Sequence, residues 1–126
     1  MKSGIAFTVI FLLTVAGGIW SQSYLNQSAR ELNAQASAIM DAVESESWDQ
    51  AARDVSALDA RWEEAKKWWL VLIEHEKIDM IDEAVHEAEV MIGMEEKPHS
   101  MDALGQFTFH VQDVPHKGRV GAANIF

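Results

Sequence analysis

The sequence predicts an all-α protein: an N-terminal transmembrane helix followed by a small antiparallel helical bundle. Three observations carry this. Ile5 to Trp20 form an uninterrupted uncharged run directly after a start bearing Lys2. Beyond it, apolar residues recur at alternating three- and four-residue steps in successive stretches, which is the spacing of one helix face and not of a strand, where faces alternate every second residue. Finally, the 126 residues include no cysteine and carry a formal net charge of −10, which leaves packing, without disulfides or thiolate-held zinc, to hold about one hundred residues together.

The first element is the apolar run. At 1.5 Å per helical residue it is shorter than the roughly 20 residues expected of an untilted crossing. Ser3, Gly4 and the polar residues after it must therefore help, by local thinning or snorkelling, with Trp20 and Tyr24 at the far interface. Lys2 favours a start inside the cell and an acidic body outside it, so residues 1–24 are read as a membrane anchor or signal-anchor and 25–126 as an extracytoplasmic domain. The expected localisation is the cell membrane, single-pass. A cleaved signal peptide is the rival reading, because Ala16 and Gly18 offer small residues for processing.

Next comes a stripe of Leu25, Ala29, Leu32, Ala36, Ile39 and Val43. No proline separates it from the anchor, so the membrane helix continues as a stalk. Glu44 to Ser47 break the pattern, and Ser47 with Gln50 has the spacing of a capping box opening a second helix. That helix carries Trp48, Ala51, Val55, Leu58, Trp62, Ala65, Trp69 and Leu72, large rings alternating with alanines that admit a neighbour. Asp49/Arg53 and Glu63/Lys67 are spaced for weak i,i+4 pairing on its outer face.

Continuing the same register would put Glu76 and Asp79 in the seam. A joint is therefore expected around Glu74–Lys77, after which Ile78, Ile81, Val85, Ala88 and Ile92 begin a displaced stripe. Pro98 closes this element, since proline disfavours helical geometry at the residue before it. Ser100 or Asp102 would start a fourth, bearing Met101, Leu104, Phe107, Val111 and Val114 and ending at Pro115. Lys117 to Gly121 read as irregular, and Ile125 and Phe126 as a tail that docks or frays. An extended hairpin that dimerises would bury the same stripes, but the phase breaks favour a three- or four-helix bundle.

All twenty acidic residues fall between Glu31 and Asp113, where six Lys or Arg accompany them, a balance of −14. A field of that sign repels nucleic acid and the anionic membrane surface. The one suggestive polar set is His75, Asp79, Asp82 and His86: offsets of four, seven and eleven place them near one helix face, and their donors suit zinc or another divalent ion. No HExxH motif accompanies them, and boundary hydrogen bonds explain such residues more simply. Glu63-Glu64 and Glu95-Glu96 are adjacent on a helix and cannot oppose one another as a hydrolytic pair. Gly17-Gly18 lack a phosphate-binding context. No cofactor is expected.

Trp62, Trp69, the run His75-Glu76-Lys77-Ile78-Asp79 and the terminal Asn124-Ile125-Phe126, together with the N-terminal anchor, resemble the bacterial domain-of-unknown-function family 4363. That resemblance implies a single-pass protein with a short external helical domain and transfers no catalytic residue. The expected function is therefore that of a membrane-tethered, non-enzymatic interaction or scaffolding protein of the bacterial envelope. It would contact lipid through residues 5–20 and an envelope protein or itself through an acidic face or the patch of Trp68, Met91, Met94 and Met101. The alternative is a divalent-metal-binding sensor or enzyme using the His/Asp face.

Overall fold

The computed structural model describes residues 2–125, with side-chain surroundings for 3–113. Four helices follow one another: α1 (Lys2–Glu44), α2 (Trp48–Leu72), α3 (His75–Gly93) and α4 (Lys97–Ile125). There is no strand among the described residues. The short connections turn each helix back on its predecessor, and α1 closes the ring by packing on α4. All four stripes thereby face one core within a single chain, which removes the need for the dimerising hairpin.

The described stripes are buried with three exceptions, Trp48, Leu72 and, half-buried at the start of the α4 stripe, Met101. Leu25 through Val43 of α1, Ala51 through Trp69 of α2, Ile78 through Ile92 of α3, and Leu104, Phe107 and Val111 of α4 are all closed to solvent, joined by Ala42, Ala84 and Ala103. Trp48 is half-buried at the start of α2, and Leu72 at its end lies exposed. All three occupy end positions of their stripes, where the partner helices cover a side chain less completely.

α1 is one unbroken helix from the apolar run into the core. Its first half protrudes: no residue of its apolar 18-residue window is buried. Length and composition make it the one helix among the described residues able to cross a membrane. Within it, Thr8 and Thr14 each donate their hydroxyl to the carbonyl four residues back, at 2.9 Å, so neither polar group on this apolar stretch is left unpaired.

The α1–α2 and α3–α4 turns are built alike. Glu46 (φ 57°) and Glu95 (φ 56°) sit in the left-handed region. The N–H after each reaches back to the third-last helical carbonyl, Ser47 to Ala42 at 2.8 Å and Glu96 to Met91 at 3.0 Å, and each Glu N–H bonds the second-last, Val43 or Ile92, at 3.0 Å. This is the Schellman closure that normally uses glycine. Ser47 thus ends one helix and begins the next, and its side chain makes no cap to the α2 backbone. The expected capping box does not form, because the Gln50 amide turns forward to Asp54 at 2.8 Å.

Between α2 and α3 the joint is two extended residues, Ile73 and Glu74, slightly earlier than expected. It leaves Glu76 and Asp79 outside, as the displaced stripe requires. Pro98 does not precede α4 but occupies its first turn, where a missing N–H leaves no bond unmade. Ser100 is consequently inside the helix and wholly buried, not a cap. α4 also runs through Pro115 to Ile125, against the expected stop and the expected irregular Lys117–Gly121. Proline's fixed φ is compatible with a helix, but inside one it forgoes the bond to the carbonyl four residues back and its ring crowds that carbonyl; α4 continues past Pro115 in spite of both. The packing of Val114 and the docking of Ile125 and Phe126 lie outside the described side chains.

Replacing Glu46 or Glu95 with glycine removes a left-handed penalty of about 1 kcal/mol at each turn. Each substitution is expected to raise the midpoint of thermal unfolding of the detergent-solubilised chain, and a fall in either midpoint would contradict the turn geometry.

Candidate functional site: polar clasps and an aromatic corner

α2 places Trp62 and Trp69 two turns apart on the buried stripe, their rings in edge-to-face contact at 5.4 Å. Burying an indole requires an acceptor for its N–H. Trp69 donates to Ser28 Oγ of α1 at 2.9 Å, and that hydroxyl donates in turn to the Tyr24 carbonyl at 2.7 Å. Trp62 donates to Asp82 Oδ1 of α3 at 2.7 Å, while Asp82 Oδ2 pairs with Lys66 Nζ at 2.8 Å. The Asp82 bond, followed by burial acting in the opposite sense, sets the Lys66 ammonium, with a net raised pKa.

Asp82 is therefore a structural clasp, both of its oxygens engaged within the bundle. The remaining members of the expected metal set, His75, Asp79 and His86, are exposed along α3. Helical offset does place these residues along one side. It does not draw them together, and no group of three or more His, Asp or Glu among the described residues is arranged to hold a metal ion. His75 is the first residue of α3, beyond the last turn of α2.

Other polar contacts sit between helices. Arg61 binds Glu31 across α2 and α1 at 2.7 Å; the hydrogen bond holds the Glu31 carboxyl below its ordinary range and raises Arg61. The expected Asp49/Arg53 and Glu63/Lys67 pairs give way to nearer partners, Arg53 reaching Gln50 at 3.0 Å and Glu63 approaching Lys66 at 3.7 Å. On the α2–α3 face Glu89 is pushed above its ordinary value, first by burial and then by the Asp59 carboxylate, with His86 opposing.

At the end of the bundle next to the apolar run lies an aromatic corner that periodicity alone does not reveal. Trp20 stacks on Tyr24 with centroids 5.7 Å apart, and the Trp68 ring meets both edge-on, at 6.0 and 6.4 Å. At the opposite end Met91, Met94, Glu96 and His99 line an open groove, with His99 Nδ1 and Glu96 Oε1 2.8 Å apart. Met101, Asp102, Gly105, Gln106 and Phe109 line a second along α4.

Residues 19–125 match the family described as Domain of unknown function (DUF4363). The chain belongs to this family. The matched segment holds the whole buried core and both partners of each indole bond, together with Trp20, Tyr24 and Trp68 of the corner. No curated protein and no solved structure shows a significant match.

Asp82→Ala is expected to destabilise the bundle by about 2 kcal/mol, because it strands the Trp62 N–H, whereas Asp82→Asn keeps an acceptor and loses about half as much; equal losses in urea unfolding would show that the indole bond is irrelevant. Glu89 has a raised folded-state pKa, so its contribution is fully present below the unfolded-state value and is lost as pH rises through the folded value. Glu89→Gln is accordingly expected to raise stability at neutral pH by about 0.5 kcal/mol, a gain that disappears on acidification as the parent carboxyl takes up its proton. Micromolar zinc is expected to leave the melting midpoint unchanged; a rise abolished by His75→Ala or His86→Ala would favour the metal reading instead.

Proposed function

We propose that this chain is a membrane-tethered, non-enzymatic interaction or scaffolding protein of the bacterial envelope, single-pass, with its acidic bundle outside the cytoplasm. The observation that carries this reading is the division of α1. Its first half is apolar and unburied, its second half supplies one wall of the core, and no break separates them. Such a helix fixes a folded body to a bilayer.

The bundle's own chemistry favours presentation over catalysis. Its half-buried acids are engaged in clasps, Asp82 with Trp62 and Lys66, or crowd one another, as Glu89 does with Asp59. Its distal end exposes Met94, 67% open, beside Met91, Glu96 and His99. Flexible thioethers ringed by polar groups suit reversible contact with a protein surface. Lys2 ahead of the apolar run supports an inside start.

In membranes from cells expressing the full chain, photocrosslinking from position 94 is expected to trap a discrete protein adduct, while the same probe at Ser56 does not. A Met94→Glu variant is expected to weaken a partner captured at native levels by roughly tenfold, as about 1.4 kcal/mol of lost apolar contact would. Absence of any adduct at position 94, with the chain folded and membrane-bound, would refute contact at this end.

A further inference from the structure

The corner between α2 and α3 is apolar on its outer side. Trp68, Val71 and Leu72, at i, i+3 and i+4, share one side of the last turns of α2; they are 52%, 78% and 40% exposed. α2 runs antiparallel to α1, so this corner lies at the level where the apolar run of α1 ends, and the Trp68 contacts with Trp20 and Tyr24 fix it there. The local charge also departs from the rest of the chain. Between residues 66 and 77 three lysines, Lys66, Lys67 and Lys77, accompany two acids, Glu74 and Glu76, and with the Asp82 partner of Lys66 counted this stretch is neutral in a chain of net charge −10. A bilayer surface that the acidic body would avoid is not repelled here.

We propose that this corner is a second lipid contact: Trp68, Val71 and Leu72, with Trp20 and Tyr24, enter the headgroup layer and seat the bundle directly on the bilayer. The inference rests on α1 being the membrane anchor. Indole and phenol rings partition to this depth because one edge is apolar and the other polar. Val71 and Leu72 reach the upper acyl chains, and the stem of Lys67, one turn before Val71, carries its ammonium group back towards lipid phosphates. Continuity with the apolar run selects lipid as the occupant: a helix that leaves the bilayer at Trp20 brings Trp68 to the same interface without further movement.

The chain has no cysteine, so single labels test this in the full protein. Leu12→Cys, Ser56→Cys and Val71→Cys are each coupled to an environment-sensitive fluorophore and reconstituted in phosphatidylcholine vesicles carrying nitroxide lipids at headgroup, shallow or deep positions. The Val71 label is expected to be quenched roughly twofold more by shallow than by deep nitroxides, the depth of an interfacial contact. The Leu12 label follows the reverse order, and the Ser56 label, higher on α2, responds to neither. If Leu12 is quenched while Val71 behaves as Ser56 does, the corner stands clear of the bilayer and the proposal is overturned with the anchor intact. A blue-shifted but unquenched Val71 label overturns it in favour of a second protein chain covering the corner. An unquenched Leu12 label overturns the anchor, and the corner's contact with it. As a second readout, Trp68→Ser with Leu72→Ser is expected to abolish shallow quenching at Val71 without loss of helical circular dichroism; unchanged quenching would also overturn the assignment.

Discussion

Two indole N–H groups govern the arrangement of this bundle. Trp62 and Trp69 are the largest side chains enclosed in the core, and each brings a donor that is expensive to bury unpaired. One acceptor comes from α1 and the other from α3, so α2 is positioned against both neighbours by directional bonds as well as by apolar packing. Apolar stripes alone tolerate sliding along the helix axis by a turn. An indole that must meet Ser28 on one side and another that must meet Asp82 on the other permit a single axial setting.

Much of the architecture was legible in the letters because helical periodicity reports burial directly. The stripes Leu25–Val43 and Ile78–Ile92 are buried without exception, and the displaced register after Leu72 announced the α2–α3 joint. What escaped were features decided by a neighbour in space. Asp82 looked like a ligand because its spacing from His75 and His86 is helical, yet its partners, Trp62 and Lys66, sit on another helix. Glu46 and Glu95 occupy left-handed turns where glycine would have signalled the conformation. Their sequences gave no such cue.

The two prolines show why a residue's rule needs its position. Pro98 marked the right neighbourhood, but it opens α4 and does not separate it from the preceding helix, since the first turn has spare N–H positions. Pro115 lies well inside the same helix, where it forgoes a bond and crowds the carbonyl four residues back, yet the helix runs on. Ser47 and Gln50 had capping spacing, but the tight turn had already committed the Ser47 backbone to α1. The aromatic corner was only partly visible: Trp20 and Tyr24 mark the end of an apolar run, whereas Trp68 joins them from more than forty residues away.

Because α1 passes from its protruding half into the core without a hinge, the bundle acts as a lever fixed to its lower half. The part from Leu25 to Glu44 is about 30 Å long at the usual helical rise. Rotating such an arm by about 20°, a common inclination for a membrane helix, carries its tip sideways by about 10 Å. In the proposed anchored arrangement, whatever inclination the interfacial rings give the helix is thereby passed undiminished to the methionine-bearing tip.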